Sequence, residues 1–345
     1  MSNILTIKTP LGLSRADLEA AIAAHSITPH ASRINQQFRY QELDTRSWDI
    51  LGTPATPKGF CFDGTYLYAT TYQGVFCFIR INPATGQQVD LSVYVPEGNL
   101  MNPIWDGTYI WLVPEASGQT VRLYRFDPRT NGVCSFLSIV EAYAPAVLEL
   151  QVGNLWIGCN NGPGTYLKFD MATEVFTEYN VVDANAKIRA LTFDGTHIWI
   201  GYEEPLERIS KMDPTDGTFV DYALDGGDAG SERVVFDGTW IWTASDTDPT
   251  RVKRVDPTDG SHTTITLAAG NKSVRSMLYD GKSIWIGQKP QDYALVQLNP
   301  TDNSYRVWGL GVGEERCYAL GHDGLHVWAA LDGSTKKFLR CTKAR

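Results

Sequence analysis

The 345-residue chain is 43% hydrophobic and carries a net charge of −9, with 39 Asp and Glu residues against 30 Lys and Arg residues. This acidic balance argues against nucleic acid or an anionic membrane surface as the partner, because both attract basic proteins. No window reaches the roughly 18 apolar residues of a membrane span, and the N-terminal segment lacks the basic and apolar regions of a secretory signal peptide. We therefore expect neither membrane insertion nor secretion by a recognisable signal.

Residues 1–36 precede the repeated part of the chain and are predicted to form an N-terminal arm. Within it, SRADLEAAIAAH is predicted to be a short helix, because Ser14 can cap its N-terminus and Asp17 stands three residues later, as in a capping box. The preceding LTIK favours an extended segment. An arm of this size cannot bury a core alone, so we expect it to dock on a partner or on its own domain.

A ten-residue phrase occurs seven times in the remaining chain. It reads FDGTHIWIGY at 193–202, and its other forms are FDGTYLYATT, WDGTYIWLVP, QVGNLWIGCN, FDGTWIWTAS, YDGKSIWIGQ and HDGLHVWAAL. Its central aromatic residue returns after 43, 45, 43, 43, 43 and 43 residues, at Tyr68, Trp111, Trp156, Trp199, Trp242, Trp285 and Trp328. A period of about 40 to 50 residues with several short strands per unit is typical of a β-propeller. We therefore predict an all-β, seven-bladed propeller of four-stranded blades over residues 37–345.

The fourth repeat illustrates the expected blade. IRALTF is predicted to be the inner strand, and HIWIGY runs back as the second strand after a two-residue type I′ turn at Asp194 and Gly195. RISKM forms the third strand, and DPTDG turns the chain into the fourth strand, TFVDYA, with Gly217 in the left-handed conformation. The repeated Trp residues are predicted to pack between blades, since a residue at one place in every blade serves what all blades share.

The seventh repeat is one strand short, because STKKFLRCTKAR supplies a third strand and the sequence then ends at Arg345. The segment RSWDILG at 46–52 resembles the fourth strands FVDYALDG and YRVWGLG. We predict that it completes the seventh blade, which closes the ring and removes an open sheet edge.

The cysteines are predicted to be free thiols. Cys61 and Cys77, like Cys317 and Cys341, fall on the first and third strands of one blade. Strands two apart are separated by about 9 to 10 Å, beyond the ~7 Å limit between the Cα atoms of a disulfide. No cysteine or histidine spacing indicates a metal site.

The predicted topology places short, uniform turns on one end of the blades, the turn face, and variable loops on the other, the loop face. Variable loops on a rigid scaffold are typical of binding sites. We predict a loop-face collar around the mouth of the central channel that binds an anionic ligand, formed by basic residues just before five inner strands: Lys58, Arg189, Arg233, Arg275 and Arg316. The alternative is a neutral salt-bridge collar with the adjoining Glu232, Glu314 and Glu315.

Catalytic groups are not evident in the sequence. Three of the six histidines, His197, His322 and His326, flank the Asp-Gly turns, and none pairs with a Ser or Cys in a recognisable motif. We therefore predict no catalytic residue, no metal ligand and no cofactor.

The pattern FDGTHIWIG followed by KMDPTDGT resembles the repeats of the streptogramin B (virginiamycin B) lyase and YVTN-like superfamily, over residues 46–345. The resemblance implies a seven-bladed propeller and, in the lyases, His and Glu residues acting with Mg²⁺ on the loop face. This chain has no histidine at the predicted loop-face positions, so we carry over the fold and not the activity. A degenerate propeller behind a short arm also resembles, in architecture, the virion surface and tail proteins of bacteriophages.

These observations predict a non-enzymatic binding or structural propeller. We expect a component of a phage tail or capsid surface, anchored by its arm and recognising a protein or an anionic glycan through its loop face. Nucleic acid is not an expected partner, and the expected location is a virion or the cytoplasm. One alternative is a small-molecule enzyme of streptogramin lyase or lactonase type, and another is a cytoplasmic protein-interaction scaffold that uses the same surfaces.

Overall fold

The computed structural model describes residues 45–52, 56–72, 76–95, 98–114, 121–130, 134–139, 145–160, 164–181, 186–203, 207–224, 231–245, 251–267, 273–289, 295–308, 316–333 and 336–342. These residues form twenty-eight β-strands and two short 3₁₀ helices, Ser92–Tyr94 and Pro128–Thr130. The predicted arm with its helix lies outside the described residues. Within the described part of the chain, no helix is long and apolar enough to cross a lipid bilayer.

The strands are numbered in chain order, and the first, β1, spans Thr45–Asp49. Blades one to three contain β2 (Thr56–Phe62), β3 (Leu67–Tyr72), β4 (Phe78–Ile81), β5 (Gln88–Asp90), β6 (Ile104–Trp105), β7 (Ile110–Leu112), β8 (Val121–Phe126), β9 (Cys134–Ile139), β10 (Pro145–Gln151), β11 (Asn154–Cys159), β12 (Thr165–Asp170) and β13 (Val175–Asn180). Blades four and five contain β14 (Ile188–Phe193), β15 (Ile198–Tyr202), β16 (Arg208–Met212), β17 (Phe219–Ala223), β18 (Arg233–Phe236), β19 (Ile241–Ala244), β20 (Arg251–Val255) and β21 (His262–Thr266). Blades six and seven contain β22 (Ser273–Tyr279), β23 (Ile284–Lys289), β24 (Leu295–Leu298), β25 (Tyr305–Trp308), β26 (Cys317–His322), β27 (His326–Asp332) and β28 (Lys336–Thr342).

Each blade is a four-stranded antiparallel sheet, and the seven blades form the predicted ring. In six blades the strands are paired in chain order. Blade seven takes its outer strand from the beginning of the domain, since its order is β1, β28, β27, β26. The strand β1 is antiparallel to β28, with Thr45 opposite Cys341 and Asp49 opposite Lys337. The predicted closure of the ring is therefore confirmed.

The hairpin turn of the repeated phrase differs from the prediction. In blade four the central turn residues are Gly195 and Thr196, between Asp194 and His197, and of these four only Gly195 has a positive φ, at 95°. The predicted type I′ turn centred on Asp194 and Gly195 is therefore wrong. One carboxylate oxygen of Asp194 accepts hydrogen bonds from the backbone amides of Thr196 and His197, at 2.8 and 2.6 Å. The turn therefore uses the hydrogen-bonding side chain of aspartate, while glycine supplies the backbone freedom.

The second carboxylate oxygen of the turn aspartate holds the repeated tryptophan. Asp194 Oδ2 accepts a hydrogen bond from Trp199 Nε1 at 2.7 Å. The ring of Trp199 is fully buried and shares a core cluster with Ile241 and Val255 of the next blade, which confirms the predicted packing between blades. The same bond is made by the pairs Asp106–Trp111, Gln151–Trp156, Asp237–Trp242, Asp280–Trp285 and Asp323–Trp328. Leaving a buried indole N–H unpaired costs about 1 to 3 kcal/mol, so the turn and the core depend on each other.

A cation on the third strand also links neighbouring blades. Its position lies opposite the repeated aromatic residue, and it is occupied by Arg80, Arg125, Lys168, Lys211, Arg254 and Arg340. Lys211 Nζ lies 5.8 Å from the Trp199 ring centroid and donates to the Pro257 carbonyl in the next blade at 2.7 Å. These basic side chains therefore stabilise the ring, and their spacing follows from the repeat.

The cysteine side chains that the structure describes are free thiols, as predicted: Cys61, Cys77, Cys159, Cys317 and Cys341. Burial raises the pKa of Cys159 and of Cys317 to about 12, so both thiols are protonated near neutral pH.

Candidate functional site

The loop-face end of the inner strands contains a recurring β-bulge. In blade four the bulge is at Arg189, because Ile188 and Ala190 are paired with the second strand and Arg189 is not. A bulge leaves one residue out of the ladder and changes the direction of its side chain. Equivalent bulges in blades one, three, six and seven lie at Lys58, Ala146, Arg275 and Tyr318.

Two further positions lie beside each bulge. In blade four, the carbonyl of Lys187 accepts the amide of Glu203, which follows the second strand, at 3.0 Å. The bulge residue and these two neighbours are called the rim triad of a blade. The rim triads are Thr56, Lys58 and Tyr72 in blade one, Lys187, Arg189 and Glu203 in blade four, Ser273, Arg275 and Lys289 in blade six, and Arg316, Tyr318 and Asp332 in blade seven.

The rim triad of blade four is an internal salt bridge. The carboxylate oxygen Oε2 of Glu203 lies 2.8 Å from Arg189 Nη2 and 3.1 Å from Lys187 Nζ. Burial raises the pKa of Glu203, but the hydrogen bonds and charges of Arg189 and Lys187 outweigh this effect and hold the pKa below its ordinary value. The carboxylate is therefore ionised, and it occupies the position where these two cations would receive an anion.

The rim triads of blades one, six and seven are built differently. The Arg275 guanidinium lies 5.8 Å from the Tyr318 ring centroid of the next blade, and Lys58 Nζ lies 4.6 Å from the ring of Tyr72. Both distances fit cation–π contacts. In blade seven, Asp332 pairs with Lys336 at 2.6 Å. Cationic and aromatic groups from three consecutive blades therefore occupy equivalent loop-face positions.

The five residues of the predicted collar do not occupy one equivalent position. Lys58, Arg189 and Arg275 lie at the bulges inside their inner strands, so the prediction that they stand just before the strands is wrong. Arg233 is the first residue of β18, one position later in the repeat, and Arg316 immediately precedes β26. All five residues therefore lie near the loop-face end of an inner strand, but not at one repeated position.

Arg233 is bound to protein atoms. Its Nε donates to the Arg275 carbonyl, and its Nη1 donates to the Glu232 carbonyl, both at 2.6 Å. The Glu232 carboxylate lies 3.7 Å from the same Nη1. Ion pairs of the kind that the salt-bridge alternative expects are therefore present in blades four and five, although the acid in blade four is Glu203 and not one of the three predicted glutamates. Glu314 and Glu315 lie outside the described residues.

Two members of the rim triads, Tyr318 and Lys289, were also missed from the sequence. The spacing of 43 residues could have found them, because Arg189, Arg275 and Tyr318 follow it from the bulge, and Glu203, Lys289 and Asp332 follow it at the end of the second strand. The predicted collar included only basic residues near the starts of inner strands, which leaves out the aromatic Tyr318 and, at the end of a second strand, Lys289.

The histidines that the structure describes lie away from the rim triads. His326 Nδ1 pairs with Asp323 at the turn face, and His197 lies in the equivalent turn of blade four. Among the described residues, no group of three or more His, Cys, Asp or Glu side chains could hold a metal ion. The described residues therefore do not fit the Mg²⁺ site that the lyase resemblance implies.

Comparisons with known proteins bear on the fold. No protein-family model matches the chain, and no curated protein matches it. Among solved structures, a catalytically inactive variant of virginiamycin B lyase from Staphylococcus aureus with quinupristin has a TM-score of 0.73 at 15% identity, covering 87% of this chain and 99% of that one. The fold is shared. At this identity the likeness carries no activity.

Two further structures are similar. A chain in the mitotic checkpoint complex has a TM-score of 0.67 at 12% identity, covering 88% of this chain and 96% of that one. The extracellular domain of a protein described as a hybrid two-component system, from B. thetaiotaomicron, has a TM-score of 0.66 at 14% identity and is matched over 86% of this chain. This chain spans 39% of the length of that domain. Chains with different descriptions therefore contain a fold similar to that of this protein.

Proposed function

We propose that this chain is a non-enzymatic binding propeller that recognises its partner through the rim triads and the loops beside them. The observation that carries the proposal is the contrast between the two ends of the blades. At the turn face, an aspartate bonds the repeated tryptophan in five blades, and Gln151 makes the equivalent bond in blade three. At the loop face, equivalent positions carry Tyr72, Glu203, Lys289 and Asp332. Side chains that differ so much are not required by the ring, which makes them available for recognition.

The proposed partner is a protein in a larger assembly, with an anionic glycan as the alternative. The presence of a similar propeller in the mitotic checkpoint complex supports protein partners for this architecture. A place on a phage tail or capsid, anchored by residues 1–36, stays a prediction from the sequence. We do not propose lyase activity, because no rim triad contains a histidine.

Binding to two acidic probes tests the proposal: immobilised poly-L-glutamate and immobilised polygalacturonate. The test variant is Lys58→Ala, at the rim. The control variant is Lys282→Ala, because Lys282 is exposed and lies in a turn at the turn face, in blade six. We expect the wild type to be retained at low salt, Lys58→Ala to be weakened several-fold and Lys282→Ala to be unchanged, since exposed charges act over about 10 Å at 0.1 M salt. The proposal would be contradicted if neither probe retained the wild type, or if both substitutions weakened its retention equally.

A further inference from the structure

The ion pair at the rim of blade four is not required by the propeller ring. Two cations converge there on one carboxylate oxygen, since Glu203 Oε2 lies 2.8 Å from Arg189 Nη2 and 3.1 Å from Lys187 Nζ. The rim triads of blades one and six contain no acidic residue, yet both blades form four-stranded sheets. A blade therefore forms with or without an internal carboxylate at its rim, which leaves the blade-four pair available for another role.

The guanidinium of Arg189 uses only part of its hydrogen-bonding capacity. Its Nη2 meets one oxygen of Glu203, but its Nε is buried and has no hydrogen-bond partner within the described part of the chain. A carboxylate that meets two donors of a guanidinium is bound more strongly than one that meets a single donor. A buried donor without a partner also costs free energy. Glu203 is therefore an incomplete ligand for the cations that surround it.

We propose that Glu203 is the internal ligand of a carboxylate-binding site, and that an acidic side chain of a partner protein takes its place. The inference rests on the proposed function, since it names the ligand chemistry and the regulation of one site on the same face. The incoming carboxylate would pair with both donors of Arg189 and with the ammonium of Lys187, while Glu203 turns to solvent. An acidic protein segment is favoured over a uronate glycan because it supplies the group that the chain itself presents.

The exposure and charge of the three side chains permit this exchange. Lys187, Arg189 and Glu203 are 49, 26 and 25% exposed, so a partner can reach them. Ion pairs at partly exposed positions contribute little to stability, so the displacement of Glu203 costs little. Two cations and one acid leave an excess of one positive charge, which attracts an acidic segment to this part of a chain whose net charge is −9.

The test is isothermal titration of a hexaglutamate peptide, at low salt and neutral pH, into the full chain and into Glu203→Gln. Removal of the internal carboxylate should lower the dissociation constant by about two- to fivefold, the range expected when one competing, partly exposed ion pair is lost. The gain should disappear when Lys187→Ala is added. Should Glu203→Gln fail to fold, Glu203→Ala is a second variant with the same expected direction, and melting temperatures report the folding of each.

The matched control is Glu174→Gln at the turn face. Glu174 pairs with Arg125 at 3.0 Å and is 44% exposed, so the substitution makes the same change of charge and releases one arginine away from the rim. We expect the dissociation constant of hexaglutamate to stay unchanged. Equal tightening by Glu174→Gln and Glu203→Gln would show that any released cation attracts the peptide, and it would overturn the proposal.

The outcomes separate this inference from the proposed function. If Lys58→Ala weakens retention on the acidic probes but Glu203→Gln binds hexaglutamate no more tightly than the wild type, the blade-four assignment is wrong while loop-face binding stands. If Glu203→Gln alone binds, the blade-four site stands while recognition by the wild-type rim fails. If neither protein binds, both proposals fail. Tighter binding of trigalacturonate than of hexaglutamate to Glu203→Gln would overturn the assignment to a protein partner.

Discussion

Removal of one aromatic ring from the closing strand tests how the ring is held shut. Trp48 on β1 stacks on Trp328 of the same blade, with 5.5 Å between ring centroids and 22° between planes. The Arg340 guanidinium lies 5.6 Å from its centroid. Trp48 also packs on Gly86 of blade one, where a Cβ would clash with the indole. The side chain therefore links β1 to its own blade and to the next.

The cost of Trp48→Ala follows from these contacts. Truncation of a fully buried tryptophan costs about 3 to 5 kcal/mol, and a half-buried ring loses about half of that. Loss of the stacked pair and of the cation contact adds about 1 kcal/mol, which gives a total of about 3 kcal/mol. A domain of roughly 300 residues has an unfolding entropy of about 0.6 kcal/mol per kelvin, so the melting temperature should fall by about 5 °C.

Thermal denaturation followed by circular dichroism measures the effect. Ser47→Ala is the matched control, since Ser47 is the exposed neighbour on the same strand and exposed substitutions usually change stability by less than about 0.5 kcal/mol. Melting temperatures of the two variants that agree within about 1 °C would show that β1 is held by its backbone ladder and not by the indole.

Two further predictions concern contacts between blades. Glu149 accepts the Phe193 amide of blade four at 2.9 Å, and burial raises its pKa from 4.5 to about 8. The folded state thus favours the protonated acid, so the wild type should lose stability as the pH rises from 4.5 to 8, and Glu149→Gln should not. The measurement is the melting temperature across that pH window. Equal changes of melting temperature with pH in the two proteins would contradict the prediction. In urea denaturation, Gly260→Ala should lower the free energy of unfolding by about 1 to 3 kcal/mol more than Gly238→Ala does. Both glycines have a positive φ, but only at Gly260 would a Cβ meet a ring, that of Tyr222. Equal losses would show that φ alone decides.

The period of the chain was sufficient to predict the ring and its strand order, and the likeness of RSWDILG to the fourth strands predicted its closure. The reason is physical: a blade cannot bury its own faces, so each repeat must carry the residues that pack on its neighbours. Strand bounds followed the turns closely, as RISKM at 208–212 shows. The role of Asp194 was missed because its three hydrogen bonds depend on where a side chain points, and turn propensity describes only the backbone.

The candidate site was harder to predict for a related reason. The collar was predicted from charge and approximate position, so Arg233 was grouped with Arg189 and Arg275. In the structure, Arg233 lies one position later in the repeat than the bulge residues. A bulge shifts the ladder by one residue, and a sequence read without register cannot show which side chain it redirects. The acid Glu203, fourteen positions beyond Arg189, becomes its partner only through the hairpin.

The exception among the third-strand cations follows from the way the ring closes. In blade six the residue opposite Trp285 is Gln297, whose amide donates to Ser283 Oγ within the same blade at 3.1 Å. The equivalent Lys211 binds a carbonyl in the turn between the third and fourth strands of the next blade. Blade seven has no such turn, because its third and fourth strands come from opposite ends of the domain. A cation at position 297 would lack that acceptor, so the junction between blades six and seven relies on apolar packing that includes Trp285 and Cys317.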